Sequence, residues 1–265
     1  MTNYEFKKLV YSHYREDERG MPWRKDTRPY YVVVSELMLQ QTQVSRVIPK
    51  FNDFIEQFPD FESFAAAPFS AVLKLWDGLG YSRRARFLHE SAKKVVADFK
   101  GELPRTREEL ESLPGIGPGT SGAIMAYAFN QPVAYIETNI RSIYIHCFFE
   151  GQDDVDDKDI MRKVEETLDA KNPRKWYWAL MDYGSHLKKT TKNPSRKSKH
   201  YKKQSKFEGS NRQLRAKILK TLVEQPITPE QLQLVIDDSR VECIIKSLVD
   251  EGMIAYQRNV LSIND

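Results

Sequence analysis

Cysteine is scarce in this chain of 265 residues: Cys147 and Cys243 are the only two. Two thiols cannot build a four-cysteine zinc or iron–sulfur site, and both stand in apolar stretches that predict buried, free thiols. Long apolar runs are also missing. No stretch is long and apolar enough to cross a bilayer, and residues 1–16 lack the apolar core of a signal peptide. A soluble, cytoplasmic, monomeric protein without a membrane partner is expected. Charge of one sign does not dominate either. The net charge is +4, so where the cations stand matters more than their sum. Strand alternation of useful length is absent before residue 250, which excludes a sheet-based fold for the first part.

What the chain does have is a series of helical patterns. Apolar spacing predicts helices over 3–14, 30–39, 44–57, 60–67, 68–79, 83–99, 107–113, 119–129, 157–168 and 175–183. The organising stretch is Leu113-Pro114-Gly115-Ile116-Gly117, between a helix capped by Thr106 and Glu109 and a small-residue helix. Helix, glycine hairpin, helix is a compact way to offer backbone N–H groups to a phosphate. Gly115 and Gly117 can take positive φ and carry no side chain to hold a phosphate away. An ordinary corner between two helices has the same signature.

Texture changes after Asn172-Pro173. From Lys188 to Lys217 run Lys188, Lys189, Lys192, Arg196, Lys197, Lys199, Lys202, Lys203, Lys206, Arg212, Arg215 and Lys217, with Glu208 the one acid. A solvated linker explains the low apolarity. It does not explain charge of nearly one sign with Tyr201 and Phe207 interleaved, which fits contact with a nucleic-acid backbone. Beyond Gly209, three helical patterns and two short strands around Arg258-Asn259 spell a winged-helix-like module. The predicted organisation is therefore 1–187, a basic segment over 188–210, and a small module over 211–265.

The segments Met21-Pro22-Trp23-Arg24, Ser35-Glu36-Leu37-Met38-Leu39-Gln40-Gln41-Thr42-Gln43-Val44, the run from Leu75 to Arg86, and the hairpin make a resemblance plain. From about residue 4 to 187 the chain resembles the helix-hairpin-helix DNA glycosylase superfamily, and within it the MutY adenine glycosylase branch. The resemblance implies a mainly α fold of two helical lobes, double-stranded DNA as partner, and a base flipped out for excision. It implies association with the nucleoid in a bacterium or archaeon. By the same resemblance Glu36 protonates the leaving purine, and Glu137 with Asn139 stands where the family has its aspartate and asparagine. Breaking an N-glycosidic bond builds positive charge on the sugar and negative charge on the base, so one protonated and one ionised carboxyl suit the task. Arg19, Trp23, Arg24, Leu39 and Val44 match pocket-lining positions. Gln41 and Tyr81 match positions that wedge into the base stack. Gly115 and Gly117 would hold a phosphate, with Lys188, Lys189, Lys192, Arg196 and Lys199 adding contacts to the duplex backbone.

Several positions depart from the family pattern. Glu137 is one methylene longer than the family aspartate. Gly119 stands where bifunctional relatives carry the lysine that forms a Schiff base, so a monofunctional enzyme without strand cleavage is expected. Trp178 stands where a glutamine reads the base edge, and equally fits an aromatic core position on a helix. Lysines run through the place of the iron–sulfur cysteines, so no cluster, metal or other cofactor is expected. A module that binds lesions or mismatches without excising a base, or a winged-helix regulator, is the alternative to an enzyme.

Overall fold

The computed structural model describes residues 1–14 and 20–265. Its helices are α1 (Asn3–Ser12), α2 (Pro22–Lys25), α3 (Pro29–Leu39), α4 (Val44–Gln57), α5 (Phe61–Ala66), α6 (Phe69–Trp76), α7 (Arg83–Phe99) and α8 (Arg107–Glu111). They continue with α9 (Pro118–Tyr127), α10 (Thr138–Phe148), α11 (Asp157–Thr167), α12 (Pro173–Thr190), α13 (Asn211–Glu224), α14 (Pro229–Val235) and α15 (Val241–Asp250). Strands β1 (Ile254–Gln257) and β2 (Val260–Ile263) pair antiparallel, with Ile254 opposite Ile263. Arg258 and Asn259 both take positive φ in the turn between them, as a two-residue hairpin requires. Among the described residues no helix is long and apolar enough to cross a membrane.

The chain divides into two compact units. The first holds Met1–Val32, Arg105–Ser112 and Ile116–Lys203. Its core gathers around Trp176 of α12, which is fully buried, with Phe6 of α1 at 5.9 Å between ring centroids and Tyr144 of α10 in turn 4.9 Å from Phe6. Close backbone approach matters here. A Cβ on Gly184 would fall 2.7 Å from the Asn139 Cβ, and one on Gly122 would fall 2.4 Å from the Tyr135 Cβ. Only glycine lets α12 lie that near α10, and α9 that near the segment before it.

The second unit holds Val33–Pro104, Leu113–Gly115 and Gln204–Asp265. Phe54, Phe58, Phe64 and Trp76 interlock in it, with Phe54 and Phe64 4.9 Å apart and edge to face. His89 lies among these rings, and burial drops its pKa to about 4, so it packs as a neutral ring. Helix α13 packs on α6, so the last helices and the hairpin are built onto this unit.

Most predicted helices stand at nearly their predicted bounds. Helix α10 is additional: Ile-Arg-Ser-Ile-Tyr-Ile-His has weak helix propensity, and the burial of Ile140, Ile143 and Tyr144 overrides it. Helix α12 runs to Thr190, seven residues past the predicted end, which puts Lys188 and Lys189 on its last turn at the negative end of the helix dipole. Two expectations need correction. Cys243 is exposed on α15, because it points away from the face carrying Val241, Ile244 and Leu248. Cys147 is half-buried, and burial pushes its thiol up to about 11.

Candidate active site

In the first unit the acidic residue Glu137 caps α10. Its Oε1 accepts from the backbone N–H of Asn139 at 2.5 Å and of Ile140 at 2.8 Å. An anion there satisfies two of the helix's free donors and faces the positive end of its dipole. The other oxygen, Oε2, accepts from Asn139 Nδ2 at 3.3 Å. Asn139 Oδ1 in turn accepts from Lys188 Nζ at 2.8 Å. Lys188 lies four residues after Gly184 on the same face of α12, so the small residue that admits α10 also aims the lysine at it.

These neighbours act in opposite directions. Burial raises the Glu137 carboxyl above its ordinary value, while the Ile140 N–H, the Lys188 charge, the Asn139 N–H and the Arg141 charge all pull it back. Burial likewise lowers the Lys188 ammonium, and the Glu137 charge opposes that. Arg141 is itself held by a two-pronged ion pair with Asp157, at 2.8 and 2.6 Å. Hydrogen-bond donors and two cations are thus set against the burial that favours the neutral carboxyl.

The other predicted residues of this unit have their own surroundings. A Cβ on Gly119 would lie 3.3 Å from the Ile136 carbonyl oxygen, next to Glu137 in sequence, so there is little space for a larger side chain without a shift. Trp178 is half-buried, with its ring nearly parallel to Tyr127 at 6.3 Å and the Arg24 guanidinium 5.4 Å over it. Arg24 is locked by Asp182 through two bonds of 2.9 and 3.0 Å. Trp23 is buried at 6 % exposure and serves as core. Arg19 lies outside the described residues.

The basic segment divides by burial. Lys188 is half-buried in the network above, whereas Lys189, Lys192, Arg196 and Lys199 are exposed. Lys199 pairs with Asp156 at 3.6 Å. Residues able to hold the family's iron–sulfur cluster are not there: no cysteine lies between Leu187 and Lys203. Hydrogen bonds fasten the stretch instead. Val155 N donates to Lys197 O at 2.9 Å, Lys199 N donates to Val155 O at 3.1 Å, and Ser195 Oγ donates to Thr138 O at 3.2 Å. Among the described residues no trio of His, Cys, Asp or Glu gathers as a metal site.

In the second unit Glu36 is half-buried on α3, between buried Ser35 and Leu37. Leu39 and Val44 are half-buried where α3 ends and α4 begins. Between them Gln41 is exposed, with φ of 56°. Tyr81 is half-buried at φ of 48°. One residue that sequence reasoning missed serves both turns. Arg84, buried at 7 % exposure, donates to the carbonyls of Leu37, Met38 and Gln40 at 2.8, 2.8 and 2.6 Å. It also donates to Leu79 O and Gly80 O at 3.0 Å each and to Thr42 Oγ1 at 3.1 Å. A cation at the C-terminal end of α3 meets the dipole's negative pole. Burial pulls its guanidinium down to about 10. The one sequence signal was a pair of arginines, Arg83 and Arg84, shortly after the Gly80-Tyr81 turn.

The hairpin needs one correction. Gly115 has φ of +77°, and a Cβ there would fall 2.8 Å from Phe87 Cβ. Gly117 has φ of −100° and ψ of −177°, extended backbone open to any residue, and an added Cβ meets nothing. Gly117 caps α9 without a side-chain bond, so left-handed geometry is demanded at the first glycine alone.

The helical series, the glycine hairpin ahead of α9 and the capped carboxylate after it define a helix–hairpin–helix protein of DNA base repair. Residues 34–170 match the family described as HhH-GPD superfamily base excision DNA repair protein, and the chain belongs to that family. A protein named Adenine DNA glycosylase from Buchnera aphidicola subsp. Baizongia pistaciae (strain Bp) is 34 % identical over 190 residues, covering 70 % of this chain. The match covers 53 % of that relative, so the chain spans about half its length. A protein of the same name from Mycolicibacterium smegmatis is 31 % identical over 267 residues, covering 92 % of this chain and 90 % of its own. Among solved structures, a thermostable thymine-DNA glycosylase superposes with a TM-score of 0.64 at 26 % identity, covering 74 % of this chain and 91 % of that one.

Proposed function

We propose that the chain is a monofunctional DNA glycosylase that binds double-stranded DNA, extrudes a base and hydrolyses its N-glycosidic bond. Adenine opposite 8-oxoguanine or guanine is the first substrate. The observation that carries this reading is the Glu137 carboxylate, capped onto α10 and flanked by Asn139 and Lys188. In the proposed reaction the bond from C1′ to the base nitrogen breaks and its electron pair leaves with the base. Glu36 gives the proton that neutralises the leaving purine. Glu137 stabilises the positive charge on the sugar, and water adds its hydroxyl to C1′ and releases its proton to solvent, from which Glu36 is reprotonated. Gly119 provides no amine for a Schiff base, which supports hydrolysis without strand cleavage. The exposed cations Lys189, Lys192, Arg196 and Lys199 support backbone contact by the 188–210 segment. Helices α13 to α15 followed by the β1–β2 hairpin support a winged-helix-like module over 211–265.

A second reading, excision of a base other than adenine, is favoured by Trp178. An indole offers one N–H and cannot copy the amide that would read an adenine edge. A single-turnover assay on duplexes with adenine opposite 8-oxoguanine or guanine, thymine mismatches, uracil and hypoxanthine decides between them. Release of adenine is expected, with Glu36→Gln and Glu137→Gln each slowing it by about 100- to 10,000-fold. Glu36→Gln at the wild-type rate, or lesion-selective binding that leaves no alkali-labile site, would overturn the enzyme reading.

A further inference from the structure

Tyr81 is an unusual residue to find at φ of 48°, because a tyrosine pays for left-handed backbone. Something must hold it there. Arg84 fixes the two carbonyls just before it, at Leu79 and Gly80. The end of the side chain is held from elsewhere in the sequence. Its hydroxyl accepts from Gln204 Nε2 at 2.5 Å and from Arg212 Nη1 on α13. The Arg212 guanidinium also lies over the Tyr81 ring, 4.7 Å from its centroid, and donates through Nη2 to Ser205 O at 2.6 Å.

Arg212 is not a loose surface side chain. Helix α13 packs on α6, and the elements behind it are fastened to the same unit at several points. Arg215 grips Glu251 at 3.1 and 2.5 Å, and Arg83 approaches the same carboxylate at 3.5 Å. Asp265 accepts from Ser70 N and Oγ at 2.6 and 2.9 Å. Lys220 pairs with Asp77 at 3.3 Å.

We infer that Arg212, with Gln204, is a positioning residue that holds Tyr81 in place to enter the duplex, making the C-terminal helices a working part of base extrusion. The inference rests on the reading of Tyr81 as a wedge. A ring fixed before the DNA arrives loses no rotamer freedom on insertion, and its angle is set by a cation carried on a rigid helix. Ser205, within the basic segment, is held by the same guanidinium.

The test uses the full chain and a duplex with 2-aminopurine beside the target adenine, whose fluorescence rises on unstacking. Arg212→Met and the surface variant Gln204→Ala are compared with wild type, each checked for unchanged thermal unfolding. Arg212→Met is expected to slow extrusion and single-turnover excision about 10-fold, and Gln204→Ala by less. Neither is expected to slow excision of an adenine that starts unpaired in a bulge. Tyr81→Ala combined with Arg212→Met should be no slower than Tyr81→Ala alone. An Arg212→Met protein that extrudes at the wild-type rate or faster, or that slows paired and unpaired substrates equally, overturns the positioning role. A Tyr81→Ala protein that extrudes like wild type overturns the wedge reading itself, and the positioning role with it.

Discussion

A half-buried lysine and a buried arginine divide the work of this molecule differently. Lys188, in the first unit, stands beside an acid: through Asn139 it reaches Glu137, and its charge favours the ionised carboxylate. Arg84, in the second unit, faces carbonyl oxygens of two turns and one threonine hydroxyl. The lysine adjusts a protonation equilibrium. The arginine fixes backbone shape, since five donors in a rigid plane can hold Gln40 and Gly80 at fixed spacing as a point charge cannot. Substitutions at the two positions should therefore fail in different ways.

The larger loss is expected at Arg84. Arg84→Met keeps much of the side-chain volume but removes the guanidinium donors from five carbonyls. Gly80 O keeps Trp76 Nε1, and Gln40 O and Leu79 O keep the Thr42 hydroxyl, while Leu37 O and Met38 O lose their side-chain partner. Buried polar groups left unpaired are costly, so urea unfolding should show a destabilisation of about 3–5 kcal/mol. Arg84→Lys should recover little of it, because an ammonium cannot span both turns. A loss under about 1 kcal/mol would mean that the turns hold themselves, and the comparison with Lys188 would collapse.

Legibility in the sequence follows the same division. Helices with strong periodicity, such as α4, α7 and α13, could be placed from spacing because each buries one face. Helix α10 was hidden, since its β-branched and aromatic residues owe their helical state to packing against α12 and α11. In the candidate site, Glu137 and Asn139 could be singled out from a local motif. Lys188 looked like one cation in a basic run, and nothing local marks it as the one that turns inward. Arg84 and Arg212 act on residues far along the chain, and single-sequence spacing carries no signal for that. Gly184 fell one residue past the predicted helix end, so neither its place inside α12 nor its close approach to Asn139 was visible.

The hairpin gives an internal control of intermediate size. Gly115→Ala forces a Cβ into left-handed backbone and against Phe87, and should cost roughly 2 kcal/mol while weakening duplex binding. Gly117→Ala meets ordinary backbone and open space, so its stability should change by less than about 0.5 kcal/mol. Thermal unfolding and a filter-binding titration of the two variants separate the demand of the turn from the demand of a bound phosphate. Gly117→Ala weakening binding with unchanged stability would place a phosphate close to its backbone. Both variants matching wild type would remove the hairpin from the interface.

Lys188 should give the smallest and most diagnostic effect. The charged groups facing Glu137 are Lys188 from α12 and Arg141 from α10, with Asp157 of α11 holding Arg141. Burial already raises the Glu137 carboxyl, and deleting a nearby cation raises it further. A reaction that needs Glu137 ionised loses rate as pH falls through that pKa, so Lys188→Met should move the acidic limb of the single-turnover profile to higher pH by about one unit. The plateau above that limb should change little. Lys188→Arg should restore the original limb, since the charge returns even where the bond to Asn139 is imperfect. A Lys188→Met profile that drops uniformly at every pH would instead make the lysine a packing element of α12, and Glu137 would have to be kept ionised by its capping N–H groups and Arg141 alone.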